Sequence, residues 1–408
     1  MKKLNAIRCC EHGPTQSRKG AVMVFAAAML IVVIAFAAFT VDFGMVTLTK
    51  GQMQNAADSA AHAAVLEVSR AYGPGAEMTQ SQAENIARQR AVEMVSRFRT
   101  GDVESTVADE VRDVRVGRRS WDDAAQEWVQ EWGVSPYNMV EVTVRRTNAE
   151  TTSLPMTFAR ILGRDNFELT TTSVAAMYPG VGFVLNPNPD PPPHSDPPND
   201  CIDILPIALD LESWTNLLDQ HYHGTNHGYD DDYSWSNSNG VNHCRGDGIP
   251  EINIYPDLNS GLAPGNRGTV DLGSANNSTN DIKRQIIHGL NAYDMSFFPN
   301  NRIEFDANGA LYLNGDTGIS AGIEDALQSI IGQVRAIPIF IEVTGQGNNA
   351  TYTIVKFVGI RIIDVKLSGG PNKRHLTVQP AVFSDSHVLR GNVDVNVDSI
   401  LSQPVVIH

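Results

Sequence analysis

Four histidines, His221, His223, His227 and His243, fall in one stretch beside Asp230, Asp231 and Asp232. Imidazole and carboxylate groups are what zinc and related divalent ions take as ligands. The same stretch contains Asp232-Tyr-Ser-Trp-Ser236, a DxSxS pattern whose carboxylate and hydroxyl oxygens would converge on a cation. That convergence needs a loop leaving the end of a buried strand, and His221 to Asp231 hold no apolar run. No HExxH sequence accompanies the histidines, and a polar loop does not preorganise ligands. Asp247-Gly248, and Asp306 with Asn308-Gly309, read as ordinary Asx-Gly turns without EF-hand spacing. No GxSxG elbow, P-loop or dinucleotide fingerprint is present. The expectation is a non-enzyme with no metal, no cofactor and no small-molecule substrate.

The elements that would have to position any site are dictated first by charge and apolarity. The 408 residues carry 31 Lys+Arg against 46 Asp+Glu, a formal charge of −15. Residues 1–20 hold Lys2, Lys3, Arg8, Arg18 and Lys19 against Glu11, a net +4, which leaves −19 for the rest. That balance excludes a basic nucleic-acid-binding surface. From Ala21 to Val41 no charge occurs, and Phe25, Leu30 and Ile34 mark the apolar run. Its 21 residues reach about 30 Å, the thickness of a bilayer hydrocarbon core. The run is too long for a signal-peptide core, and no small-residue cleavage site follows. With basic residues before it and Asp42 after it, the positive-inside rule keeps 1–20 in the cytoplasm and exports 42–408. A single-pass anchor with a large exported body is expected.

Cysteine placement accords with that topology. Cys9 and Cys10 fall on the reducing side, while Cys201 and Cys244 fall on the oxidising side with 42 residues between them. Two readings stay open for the second pair: a disulfide closing one loop, or a pair of metal-ligating thiolates outside any CxxC spacing.

Beyond Asp42 the helical pattern continues to Val68, and Gly73-Pro-Gly75 ends it. Ala56, Ala57, Ala60, Ala61 and Ala64 recur at spacings that share one helix face. A face of small side chains lets another helix approach closely. It serves either as an interface for a partner helix or as packing on the protein's own domain.

These residues carry a resemblance. Arg18-Lys-Gly-Ala-Val-Met-Val-Phe25, the apolar span, Val41-Asp-Phe-Gly44 and Gln54-Asn-Ala-Ala-Asp-Ser-Ala-Ala61 are similar to the amino terminus of TadG-like proteins of the TadE/TadG group. Val140-Glu-Val-Thr-Val-Arg-Arg146 and Met156-Thr-Phe-Ala-Arg-Ile-Leu-Gly163 resemble that group's first exported domain. The resemblance implies a component of bacterial tight-adherence (Flp) pilus assembly or of the cell envelope, held in the inner membrane. Its expected partners are the membrane and pilins, pseudopilins or assembly-platform proteins. Some relatives are cut after a glycine and carry a glutamate five residues later. Here Gly20 is followed at that distance by Phe25, so a retained anchor is expected. The alternative from a different class is a membrane-tethered module whose distal domain binds a glycan or a calcium-dependent ligand.

The exported body reads as α+β. An amphipathic helix over 79–99 with a capping box at Ser81–Glu84 precedes strands near 103–107, 111–116 and 138–146, a short helix at 155–162 and a strand at 166–177. Together, 42–178 form a pilin-like α+β domain on the extended helix. Residues 179–200 carry eight prolines and read as a spacer. The second domain, 201–408, combines helices at 281–290 and 320–335 with strands at 337–343, 352–367, 375–383 and 393–397. It is α+β or a partly parallel α/β sheet.

Overall fold

The computed structural model describes residues 19–150, 152–185, 200–256, 267–273, 278–345, 347–370, 373–394 and 396–407. The basic leader up to residue 18, the Ala21 side chain and most of the proline spacer lie outside the described residues.

The first element, α1 (Lys19–Ser69), is one helix of 51 residues, about 76 Å long at 1.5 Å per residue. Two environments meet on it. From Val22 to Val41 its large side chains are exposed, Phe25, Leu30, Ile34 and Val41 among them. From Met53 to Val68 one face is wholly enclosed, and that face includes all of Ala56, Ala57, Ala60, Ala61 and Ala64. The alanines expected to receive a partner helix are therefore covered from within the chain. Their cover is α2 (Gln80–Ser96), whose Ala87 and Ala91 join the same core, and a sheet on the other side. Short side chains let the two helix backbones approach closely. Thr79 caps α2, accepting the Gln82 N–H while the Gln82 side chain accepts the Thr79 N–H. The box thus sits two residues before the Ser81–Glu84 position read from the sequence, because Thr79 is the last residue with extended backbone.

The proximal sheet is built from β1 (Val114–Asp122), β2 (Glu127–Trp132), β3 (Met139–Arg146) and, after a finger made of β4 (Leu154–Pro155) and β5 (Asn166–Phe167), β6 (Leu169–Ala176). Its order is β2-β1-β3-β6, and every pairing is antiparallel. Val140, Val142 and Val144 enter the core under α1, while Met139 packs with Ala176 and Tyr178 in a smaller cluster. The fifth strand comes from far along the chain: Val405–Ile407 pairs antiparallel with β6.

The distal body begins inside the region expected as a spacer. There β7 (Gly180–Val184) is a strand rather than an extended linker, because Phe183 and Leu185 are buried. Then follow β8 (Leu209–Asp210), α3 (Leu211–His223), the hairpin β9 (Ser234–Ser236) and β10 (Gly240–Asn242), β11 (Ile252–Asn253), β12 (Gly268–Val270) and α4 (Thr279–His288). The chain continues through β13 (Arg302–Glu304), β14 (Leu311–Thr317), β15 (Val334–Thr344), β16 (Ala350–Lys366) and β17 (His375–Pro380). The 17-residue β16 is the spine: one edge pairs with β15, and the other pairs with β14 and then with β17. Ile337 and Ile339 of β15 face a core shared with α3 and α4, whereas Ala336 and Phe340 face one shared with β7 and β13. These long pairings are antiparallel, and the parallel contacts beside them are short, as between β8 and β15 and between Ser384–Asp385 and Leu401–Ser402, which makes the chain α+β. Residues 320–335, expected as one helix, hold only a turn at Ala321–Ile323 and a helix at Glu324–Gln328 before β15 starts.

The two bodies are seated on each other through the turn between α1 and α2. A Cβ on Gly75 would lie 2.1 Å from the Pro380 carbonyl oxygen, and one on Gly73, at φ +77°, would lie 2.5 Å from that of Val397. Tyr72 beside them is buried, and its hydroxyl donates to the Asn396 carbonyl. Arg118 pairs with Asp394 at 2.9 Å across the same junction.

Because the alanine face is already full, Ala57→Leu with Ala61→Leu should overpack this core at ~1–3 kcal/mol per site. A lowered Tm of the full-length protein in detergent is the expected result, and an unchanged Tm would contradict the packing described.

Candidate functional site at the foot of the long helix

Two segments that the sequence marks separately meet where α1 leaves its exposed stretch. Asp42, from Val41-Asp-Phe-Gly44, is buried and points at the finger between β4 and β5. Its carboxylate accepts the backbone N–H groups of Thr157 at 3.0 Å, Phe158 at 3.0 Å and Ala159 at 2.5 Å. Burial would raise this carboxyl, but the three backbone donors outweigh it and hold Asp42 below the ordinary carboxylate range. The donors are the otherwise unmatched N–H groups at the start of the turn Ala159–Leu162, so Asp42 serves as a cap supplied from another element.

The finger is closed at its base by the Leu154–Phe167 and Pro155–Asn166 pairs, and Leu154 is buried in the proximal core. Met156 donates to the Asp165 carbonyl at 2.9 Å, and Gly163 ends the turn at φ +80°, where a side chain would be strained. Arg160 reaches Asp165 at 3.0 Å. The tip that this geometry presents is apolar and open: Ile161 is 83% exposed and Leu162 84%. Between tip and helix lies a groove of about 400 Å³, walled by Ala38, Phe39 and Phe43 on α1 and by Phe158, Ile161 and Phe167 on the finger. Sequence reading took Asp42 only as the edge of the apolar run. Its partners are backbone N–H groups, which residue types do not mark.

The histidine-rich stretch is organised differently from a metal centre. His223 and His227 both engage Asp219, at 3.0 and 2.7 Å, and with Thr225 they lower its carboxyl to about 2. His221 meets the Gly248 carbonyl at 3.1 Å, and His243 lies edge-on to Tyr233. Ser234 and Ser236 lie on β9 of the β9–β10 hairpin, and Asp232 just precedes it. The Asp232 backbone N–H is taken by Glu251 at 2.9 Å. Asp231 accepts from the Asp247 and Gly248 N–H groups, both at 2.9 Å. Among the described residues no group of three or more His, Cys, Asp or Glu is placed to hold a metal ion. At the strand end Asp210, a cation of the chain's own is held: Arg267 bonds Asp210 at 2.7 Å and the Ser213 hydroxyl at 2.5 Å, and all three residues are buried.

No disulfide joins Cys201 to Cys244. Cys201 is half-buried next to the Ile202–Leu290 bridge, where burial pushes its thiol up to about 11, and Cys244 is exposed beyond the β9–β10 hairpin.

The seam between the bodies carries the polar residues that the sequence did not reveal. Arg361 stacks 3.3 Å above the Trp235 ring and is drawn down to about 10 by burial. Gln379 donates to Glu251 at 2.8 Å. Burial pushes Glu251 up to about 7, with the Asp231 charge adding to the rise.

The class defined by these features is an α+β protein built on a helix long and apolar enough to cross a membrane. Residues 20–70, almost the whole of α1, are similar to the family model described as Putative Flp pilus-assembly TadE/G-like. That match covers the exposed span, Asp42 and the alanine face, and it stops where the Gly73-Pro-Gly75 turn begins. No curated protein and no solved structure matches the chain.

Asp42→Ala should leave three backbone donors without their acceptor and loosen the turn that they begin. The finger should then be cut faster by trypsin after Arg160 and Arg164 in the membrane-extracted protein, with the rest of the digestion pattern kept. Equal cleavage rates would show that Asp42 does not hold the finger.

The Glu251 carboxyl lies above its ordinary value of 4.5 in the folded protein. The folded state therefore holds an extra proton between about pH 4.5 and 7. Its contribution is fully present below the lower limit and is lost as pH rises through the upper one. Glu251→Gln should remove that decline, read as Tm against pH; a parallel offset of the two curves would contradict it.

Proposed function

We propose that this protein is a non-catalytic, membrane-anchored component of Flp (tight-adherence) pilus assembly or of the bacterial cell envelope. The observation that carries the reading is the continuity of α1. One helix bears the apolar span, holds the core of the proximal domain and coincides with the TadE/G-like match. The span sits in the inner membrane with the amino-terminal side in the cytoplasm, and residues 42–408 lie in the periplasm or at the cell surface. The basic leader and Asp42 support that orientation.

Association with pilins, pseudopilins or assembly-platform proteins runs through surfaces that remain open. The enclosed alanines are unavailable for it, whereas the exposed residues of Val22–Val41 present an apolar helix face along their whole length. A catalytic role has no support in the arrangement of the histidine-rich stretch, whose side chains are spent on the fold.

A strain lacking the gene should lose Flp-type fibres from its sheared surface fraction and regain them with the intact gene. Fibres in parental amounts would overturn the pilus reading.

A further inference from the structure

We propose that the finger between β4 and β5 is a membrane wedge, its apolar tip inserted among the lipids around α1 so that acyl chains fill the groove between them. This rests on the reading of α1 as a membrane anchor and adds a second point of contact to it.

The depth of the groove is fixed by the helix. If Ala21–Val41 fills a hydrocarbon core of about 30 Å, Ala35 lies only six residues, about 9 Å, inside its far edge. Ala35, Ala38 and Phe39 are walls of the groove, so its floor is the anchor itself at bilayer depth. The opposite wall cannot drift away, because Asp42 holds the turn at three backbone groups and Leu154 is buried in the proximal core. Ile161 and Leu162 are thus presented rigidly, almost fully exposed, beside the point where lipid begins. Arg164 follows them, exposed, where a long cationic side chain reaches phosphates while its stem stays in apolar surroundings; Arg160, before them, is paired with Asp165.

Lipid is the occupant favoured over a protein helix because the groove's floor is part of the same exposed apolar helix that the anchor reading sets in hydrocarbon. The charge balance points the same way. The chain beyond the leader carries −19, so general electrostatic attraction cannot draw the body onto an anionic membrane, and local apolar insertion has to do it.

The test uses the full-length protein in phosphatidylcholine vesicles whose acyl chains carry bromine near either the headgroup or the methyl end. The tryptophan emission of Leu162→Trp and of Ile31→Trp is compared with the parent, whose five native tryptophans give the baseline. Leu162 is exposed, so its substitution leaves the fold intact. The expected result is loss of the added L162W emission with headgroup-proximal bromine and loss of the I31W emission with methyl-end bromine. Quenching of I31W alone would overturn the wedge and leave the anchor standing. Quenching of neither would remove the anchor reading as well. An L162W emission that is shifted to the blue but unquenched, with cross-linked dimers, would mean that a second copy fills the groove and would also overturn the proposal.

Discussion

The burial of a small-residue face on α1 is the constraint on which the rest of the molecule depends. The helix runs on without a break past its exposed apolar span, and the small-residue face of that continuation must be covered from water. Here the cover is α2 and the β3–β6 region of the proximal sheet, brought close because alanine keeps the backbones near each other. Once α1 is core, the turn that ends it has a fixed place. That turn is where the distal body sits, with Gly73 and Gly75 pressed against the backbone of residues 380–397. The exposed span, the proximal core and the turn against the distal body thus all lie along or at the end of one helix.

Asp42 marks the change of environment along that element. On one side the helix is stripped of protein, and on the other it is clad on successive faces. A carboxylate at this position would be costly if unmatched. Its charge is met by backbone donors of the finger, so the residue that ends the apolar run also fixes what stands beside it. The two segments sharing this contact are 115 residues apart, which makes the foot of the helix a tertiary feature rather than a property of the helix alone.

Much of this could be read from the residues because the relevant patterns are local. The apolar run, the alanine spacing and the alternation of Val140, Val142 and Val144 each specify one element and its buried face. What covers a face is not local information, and here reading stopped: the alanines fit a partner helix as well as α2. The same limit hid the foot, since the partners of Asp42 are backbone groups, which leave no trace in residue type. Residues 320–335 failed for another reason. Ile323, Leu327 and Ile330 do share the distal core, but Val334 already belongs to β15, and strand pairing overrides the helical spacing. The histidine stretch was correctly legible as chemistry-bearing residue types, yet its pairing through Asp219 depends on the unanticipated helix α3.

The strand Val405–Ile407 gives the fold an order in time. On the ribosome and during any transfer across a membrane, the edge of β6 is made long before its neighbour exists. An unpaired strand edge invites pairing with whatever chain is near, so the proximal sheet stays vulnerable until the whole distal body has been synthesised. The distal body can close its own cores in the meantime, since β16 and its partners lie within one continuous stretch. The sheet is then sealed by a strand made after the distal body, beside a helix made before it.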